Sequence, residues 1–402
     1  MRAFKRSNIY LLGLLMFFWS MFDGILAYLS PLIITEHGFS KTYMGFIIGS
    51  SSVFGAIFDT VAIRILPSTH YRRVFMIMFT LCLIYPFVLF NADTIVIYII
   101  AMAIWGVFYD LKNFGLFDFI ARNTPEEEHS SSFGVVQVLS SMGYLLAPII
   151  AGAVVIETIT WRPFSYSLLF LGCAFVCFLI LISSKFTGQS PQPFAHRKNI
   201  FNIRAWLALD RIIFPVLLMT FVLYLIDAFF WTIGPLFAET FNLPGQRGEL
   251  ILSAYTFPGL IVGWLVSFAT KRFGKKKTAF TSLFFGSLLL STLVFAKDYY
   301  VALALVFISS VFLSLALPAV NGVYADLIQE QSKYEEEIEV LTDFYTNLGY
   351  ILGPMAAGYM ADVFGNAASI SGVGIFGVLV ALLLIKITPR HIELRKDVLQ
   401  TD

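Results

Sequence analysis

Charge is scarce in this chain. Only 13% of its 402 residues are Asp, Glu, Lys or Arg, against about 25% in an ordinary soluble domain. With 58% hydrophobic residues and a mean hydropathy of +0.80, a surface of this composition cannot be built to face water, so most of it must face lipid. The net charge of +1 excludes a strongly basic nucleic-acid binder. Cysteine is nearly absent: Cys82, Cys173 and Cys177 lie inside apolar stretches, which excludes a disulfide framework and a zinc cluster. Cys173 and Cys177, four apart, read as packing on one helix. The five histidines, His37, His70, His129, His196 and His391, all fall in expected loops or near the ends. No His-Glu-x-x-His, no Gly-x-Ser-x-Gly and no Cys/His cluster within the apolar runs is present, so an intramembrane enzyme is not expected. A phosphate loop of the Gly-x-x-x-x-Gly-Lys-Ser/Thr type is also missing, which excludes an ATP-driven engine. No metal or cofactor is expected.

Long hydrophobic runs are abundant instead. A bilayer core takes about 20 mainly apolar residues per helix, and twelve such segments are predicted at 9–35, 43–66, 74–90, 94–121, 132–156, 163–184, 213–240, 247–270, 278–296, 299–328, 338–363 and 367–387. The first is far longer than the roughly 7–15-residue core of a signal peptide and reads as a membrane helix. Most connections are short turns; the exception is 185–212, with Gly188, Pro191 and Pro193. Within it, Ile200, Ile203, Trp206, Leu207 and Ile212 suggest an amphipathic helix at the membrane surface. The expected organisation is a six-helix bundle over 1–184, a cytoplasmic linker over 185–212, a second bundle over 213–388 and a tail over 389–402. With the N-terminus inside, the outer side collects only Lys41, Arg162, Arg247 and Lys297; every other Lys and Arg except Lys112 falls inside. Both termini are therefore expected in the cytoplasm.

The two halves repeat each other. Asp23-Gly-Ile-Leu-Ala-Tyr-Leu-Ser-Pro31 in segment 1 has the Asp-to-Pro spacing of Asp227-Ala-Phe-Phe-Trp-Thr-Ile-Gly-Pro235 in segment 7. Gly143-Tyr-Leu-Leu-Ala-Pro148-Ile-Ile-Ala-Gly152 in segment 5 matches Gly349-Tyr-Ile-Leu-Gly-Pro354-Met-Ala-Ala-Gly358 in segment 11. Asp118 before Glu126-Glu127-Glu128 parallels Asp326 before Glu335-Glu336-Glu337, and the Arg72-Arg73 loop parallels Lys275-Lys276-Lys277. Parallel repeats of this kind are one plan for alternating access, with a substrate site near the midplane.

On these residues the chain resembles the major facilitator superfamily over essentially its whole length. The loop Lys271-Arg272-Phe273-Gly274-Lys275-Lys276-Lys277 is similar to that family's Asp-Arg-x-Gly-Arg-Arg loop, with Lys271 in place of the Asp; the first-half loop, 66–73, keeps only its Arg pair. Segment 5 resembles the family's Gly-x-x-x-Gly-Pro-x-x-Gly-Gly antiporter signature, with Ala147 and Ala151 at two of the glycines. Its recurrence in segment 11 leaves a packing and kink role for Gly143, Pro148, Gly152, Gly349, Pro354 and Gly358 equally open. The resemblance implies an all-α membrane protein of twelve transmembrane helices in two pseudo-symmetric six-helix bundles, a monomer in a bacterial or archaeal cytoplasmic membrane. It also implies a secondary transporter of a small solute, with protons as the coupling partner. Proton-driven export is the first expectation. A proton-coupled importer of a sugar or other nutrient, or a receptor built on the same fold, are the alternatives.

A charge at bilayer depth costs about 2.5–3.5 kcal/mol on insertion scales, so those that persist mark cavities or ion pairs. Segments 3, 6, 9 and 12 carry none in their interiors. Segment 1 carries Asp23, segment 2 Asp59 and Arg64, segment 4 Asp110 and Lys112, and segment 7 Asp227. Asp23 and Asp227, near midplane on repeat-related segments, read either as a proton-coupling or substrate-binding pair or as caps for the bends near Pro31 and Pro235; Asp110 is a third candidate. Asp110, Asn113, Phe114 and Phe117 share a helix face. Lys112 points elsewhere and is expected to pair with an acid on segment 1 or 2, or to bind substrate. Asp59 and Arg64 read as gating or structural residues, as do Arg272 and Gly274. Asn321 is the repeat counterpart of Asn113. Tyr28, Tyr224 and Trp231 are expected, with Asn113 and Asn321, to line a cavity.

Overall fold

The computed structural model describes residues 2–65, 70–155, 159–183, 203–241, 247–330 and 334–388. The linker stretch 184–202, the 389–402 tail and the side chain of Arg64 lie outside the described residues. What is described is helical. In chain order the helices are α1 (Arg2–Glu36), α2 (Lys41–Ile65), α3 (Tyr71–Phe90), α4 (Ile95–Asn123), α5 (Glu126–Val154) and α6 (Trp161–Ser183) in the first half. The second half holds α7 (Ile203–Glu239), α8 (Leu250–Thr256), α9 (Pro258–Phe273), α10 (Lys275–Ser291), α11 (Tyr299–Glu330), α12 (Glu335–Phe364) and α13 (Asn366–Ile387).

Their boundaries follow from local chemistry. Thr94 caps α4 by accepting from the Ile97 amide, and Gly274 (φ +83°) and Gly365 (φ +86°) end α9 and α12 in a backbone region that side-chain-bearing residues avoid. The eighth segment splits into α8 and α9 at Phe257, where Pro258 supplies no amide donor; further on, 250–262 and 265–273 are bent by 65° against each other. Pro31, Pro86, Pro148, Pro235, Pro318 and Pro354 all stay inside helices, as neighbouring helices in a membrane permit. The surface helix expected in the linker is not a separate element over 203–212: those residues are the first turns of α7, where no Gly or Pro interrupts them. Their polar face docks on α12, with Tyr345 donating to Asp210 (2.9 Å) and Trp206 edge-on to Phe344.

Among the described residues ten helices are long and apolar enough to cross a membrane, and eleven spans result when 250–262 and 265–273 count as one. The remaining long helix, α12, is 30 residues, opens on Glu335-Glu336-Glu337 and packs between α7 and α2. Packing repeats between halves. In the first, α1 packs on α5 and α6 while α4 packs on α2 and α3; in the second, α7 packs on α12 and α13 while α11 packs on α8, α9 and α10. Across the interface the repeat partners exchange, α2 against α12 and α5 against α8, with α1 beside α7. Neither α4 nor α11 packs on the opposite half. Helices α3, α6, α10 and α13, whose charges lie only at their ends, present Leu83, Leu169, Phe285 and Leu379 outward.

Candidate functional site

Asp23 sits on α1 with 2% of its surface exposed. Such a carboxylate needs donors from neighbouring helices. Trp105 Nε1 on α4 donates to Oδ1 (2.8 Å), and the Tyr144 hydroxyl on α5 donates to Oδ2 (2.7 Å). Asp227 on α7 is held the same way: the Tyr255 hydroxyl on α8 donates to Oδ1 (2.9 Å) and the Tyr350 hydroxyl on α12 to Oδ2 (2.8 Å). Tyr144 and Tyr350 each follow the first glycine of the repeated Gly-Pro pattern, so the acid and one donor are duplicated together. Aromatic rings join the two carboxylates: Tyr144 lies 6.0 Å from Trp231 across the halves, Tyr224 is 5.3 Å from Tyr350, and Phe230 stacks on Tyr255 at 4.0 Å. Tyr109 lies within electrostatic reach of Asp23, Asp110, Asp227 and Tyr224. It is nevertheless 39% exposed, so the cluster borders an accessible cleft.

Lys112 departs from one of its two expectations, the ion pair. It makes no ion pair with an acid on α1 or α2; among the described residues the ion pairs are Asp118–Arg122 and Lys275–Asp326. Its ammonium lies over the rings of Tyr109 (3.9 Å) and Trp19 (4.9 Å), with Asp23 and Asp110 in electrostatic range. Residues two apart on a helix point to different sides, and here that separates roles. Lys112 joins the Asp23 cluster, whereas Asp110 faces α2: a Cβ on Gly55 would come within 2.6 Å of its Oδ2. Phe114, on the same face, packs on Phe58. Asp59 and, from α12, Asp343 lie within electrostatic reach of Asp110.

The other expected residues disperse. Tyr28 is 2% exposed and lies within reach of Glu239 and Glu249, away from the cleft. Asn113 is half-buried and Asn321 exposed on α11. Arg272 stacks on Phe273, while Gly274 starts α10 and places Lys275 on Asp326 (2.6 Å). In the first half, Asp118 instead accepts from the Tyr71 amide and pairs with Arg122.

The Gly-Pro pattern divides into two jobs. Gly143 and Gly349 bring α5 and α12 against the first helix of their own half: a Cβ would meet Ser20 Cβ at 2.8 Å in one case and Tyr224 Cβ at 2.9 Å in the other. Gly152 and Gly358 work across the halves, the former against Glu249 (2.8 Å) and the latter against the Lys41 carbonyl and Gly45 Cα. At that end Asp362 on α12 caps α2, accepting from the Lys41 amide (3.0 Å), the Thr42 amide (2.7 Å) and the Thr42 hydroxyl (2.5 Å). Lys41 Nζ donates to Asn366 (2.7 Å), and Ser253 donates to the Leu145 carbonyl (2.9 Å). The end carrying the 37–40 turn is therefore sealed between the halves.

Trp105, Tyr144, Tyr255 and Tyr350 escaped the sequence reading. The repeat contained a signal for two of them, since a tyrosine follows the glycine in both copies. Trp105 and Tyr255 have no such marker; only packing brings them to their acids.

Two repeat-related helical bundles enclosing a polar, aromatic centre define a polytopic membrane transporter. The chain belongs to the Major Facilitator Superfamily, whose family model matches residues 10–214 and 216–400. It is a family of transporters rather than enzymes, acting on small molecules in membranes. Quinolone resistance protein NorA of Staphylococcus aureus (strain COL) is 22% identical over 279 residues, spanning 67% of this chain and 68% of that one. Among solved structures, a bacterial homolog of the human lysosomal transporter Spinster, inward-facing and unoccupied, superposes with TM-score 0.71 at 13% identity, covering 96% of this chain and 97% of that one. The nucleoside transporter NupG gives 0.69 at 15% identity, over 94% and 98% of the two chains. The peptide transporter POT bound to sulfate gives 0.72 at 12% identity, over 96% and 94%.

Proposed function

We propose that this protein exports a small solute in exchange for protons by alternating access. One observation carries the reading: two carboxylates, Asp23 and Asp227, sit on repeat-related helices, each gripped by two side-chain donors and joined by aromatic rings that border a cleft. A carboxylate whose neighbours can rearrange on opening and closing changes its proton affinity between the two states, which is what coupling requires. The Gly-Pro pattern of α5 and the resemblance to a quinolone resistance protein favour export. The bundles 1–184 and 213–388 act as the two moving bodies, joined through 185–202 and the first turns of α7, in a monomer. Both termini face the cytoplasm of a bacterial or archaeal cell, so the sealed end is the outer one and the conformation is inward-facing.

Reconstitution into liposomes tests the coupling. Asp23→Asn, a fixed mimic of the protonated acid, is expected to retain counterflow yet lose pH-driven accumulation by at least about tenfold, the effect of roughly 1.4 kcal/mol. Asp227→Asn is expected to weaken substrate binding. Wild-type pH-driven transport in both variants overturns the proposal. Orientation is tested with single cysteines at Lys276 and Lys297 in a background lacking Cys82, Cys173 and Cys177; an impermeant thiol reagent added outside should label only the second.

A further inference from the structure

We infer that the site recognises an organic cation, and that Lys112 permanently fills one of two adjoining cation cages, thereby limiting the substrate to a single positive charge. The inference rests on reading the Asp23–Asp227 cluster as the transport site. A cation over aromatic faces backed by a carboxylate is the chemistry by which ammonium groups are bound. In the first half that arrangement exists and its occupant belongs to the chain. The Lys112 ammonium lies 3.9 Å from the Tyr109 ring centre and 4.9 Å from that of Trp19, with Asp23 and Asp110 in electrostatic reach.

The second half has the same chemistry without the lysine. Asp227 is bordered by Tyr255, Tyr350 and Tyr224, with Trp231 one turn further along α7. In the register that pairs Asn113 with Asn321, and Asp118 with Asp326, Lys112 falls opposite Val320. No basic side chain among the described residues lies within ion-pair distance of Asp227. Tyr109 is in electrostatic reach of both Asp23 and Asp227, so the two places adjoin. The chain thus supplies one positive charge for two aromatic–carboxylate places, and a monocation completes the set.

Removing the resident charge should then create room for a second one. Binding of phenyltrimethylammonium (one charge) and of hexamethonium and decamethonium (two charges) is measured by titration calorimetry on the purified full chain in detergent. With no gradient present, this readout is independent of coupling and direction, so failure of the export reading appears in liposome flux and not here. Wild-type protein is expected to bind the monocation at least as tightly as the dications. Lys112→Met should raise dication affinity about tenfold, in line with a desolvated cation–aromatic contact, with little change for the monocation. Lys112→Val, which copies the second half, should do the same and serves if the Met variant does not fold. Lys112→Arg should keep the wild-type preference, and Trp19→Leu added to Lys112→Met should cancel the gain. An unchanged ratio of dication to monocation affinity in the folded Met and Val variants overturns the role of Lys112. Wild-type protein that binds none of the three probes overturns the substrate class.

Discussion

The two halves of this transporter hold the same acid in different company. Asp23 and Asp227 share a position in the repeat, and each accepts from the tyrosine of its Gly-Tyr pair, Tyr144 and Tyr350. The second donor differs. It is Trp105 from α4 in the first half and Tyr255 from α8 in the second, because Leu313 occupies the register of Trp105 on α11. Lys112 stands beside Asp23, and Val320 takes its place in the second half. Asp23 is fully buried while Asp227 is only partly so. Duplication therefore preserved what any intramembrane carboxylate needs, two donors. What diverged is the charge around it and its contact with the cleft, the two properties on which the proposed division into a coupling acid and a binding acid rests.

The largest effect should come where the halves agree. Gly143 and Gly349 let α5 and α12 touch the backbone of α1 and α7, and a side chain there forces the helices apart. Gly143→Leu and Gly349→Leu should each cut liposome flux by about a hundredfold or more while the protein still reaches the membrane. Gly172→Leu, where a Cβ meets no atom within 4 Å, should leave flux near wild type. Normal flux in Gly143→Leu would sink the close-packing argument.

A smaller effect is expected at the seal, where the pseudo-symmetry breaks. Asp362 caps α2 from the opposite half, a bond set worth about 1–2 kcal/mol by analogy with helix N-caps. The α5–α8 side has no such carboxylate cap among its described contacts. Asp362→Ala should shift the population towards the state open at that end by roughly tenfold. Spin labels at the exposed Tyr43 and Tyr359 should then report a longer-distance component, and an unchanged distribution would argue that the glycine contacts alone hold the seal.

The smallest effects separate the two acids. Tyr144→Phe and Tyr350→Phe each delete one hydrogen bond to a carboxylate, about 1–2 kcal/mol. Tyr144→Phe should alter the pH dependence of uptake while substrate affinity stays near wild type. Tyr350→Phe should weaken affinity about threefold to tenfold with the pH profile in place. Identical changes in both variants would erase the functional difference between the halves.

Composition and the lengths of the apolar runs determined an all-α membrane protein and most of its helical segments, and matched motifs determined the repeat, because bilayer thickness and the cost of buried charge act on each helix separately. They also determined that charge stays out of the interiors of α3, α6, α10 and α13. Asp23 and Asp227 were legible for the same reason: an isolated carboxylate in an apolar run stands out wherever its helix packs. The partners of those acids were decided by tertiary structure. Trp105, Tyr255 and Trp19 are ordinary aromatics in a chain with 42 phenylalanines, and become donors or cage walls only when α4 and α8 set them beside α1 and α7. Lys112 read equally as half of an ion pair or as a substrate contact until packing placed it over two rings. The division of the Gly-Pro glycines between packing within a half and sealing across the halves likewise depends on which helix arrives opposite, since a glycine carries no mark of the neighbour it admits.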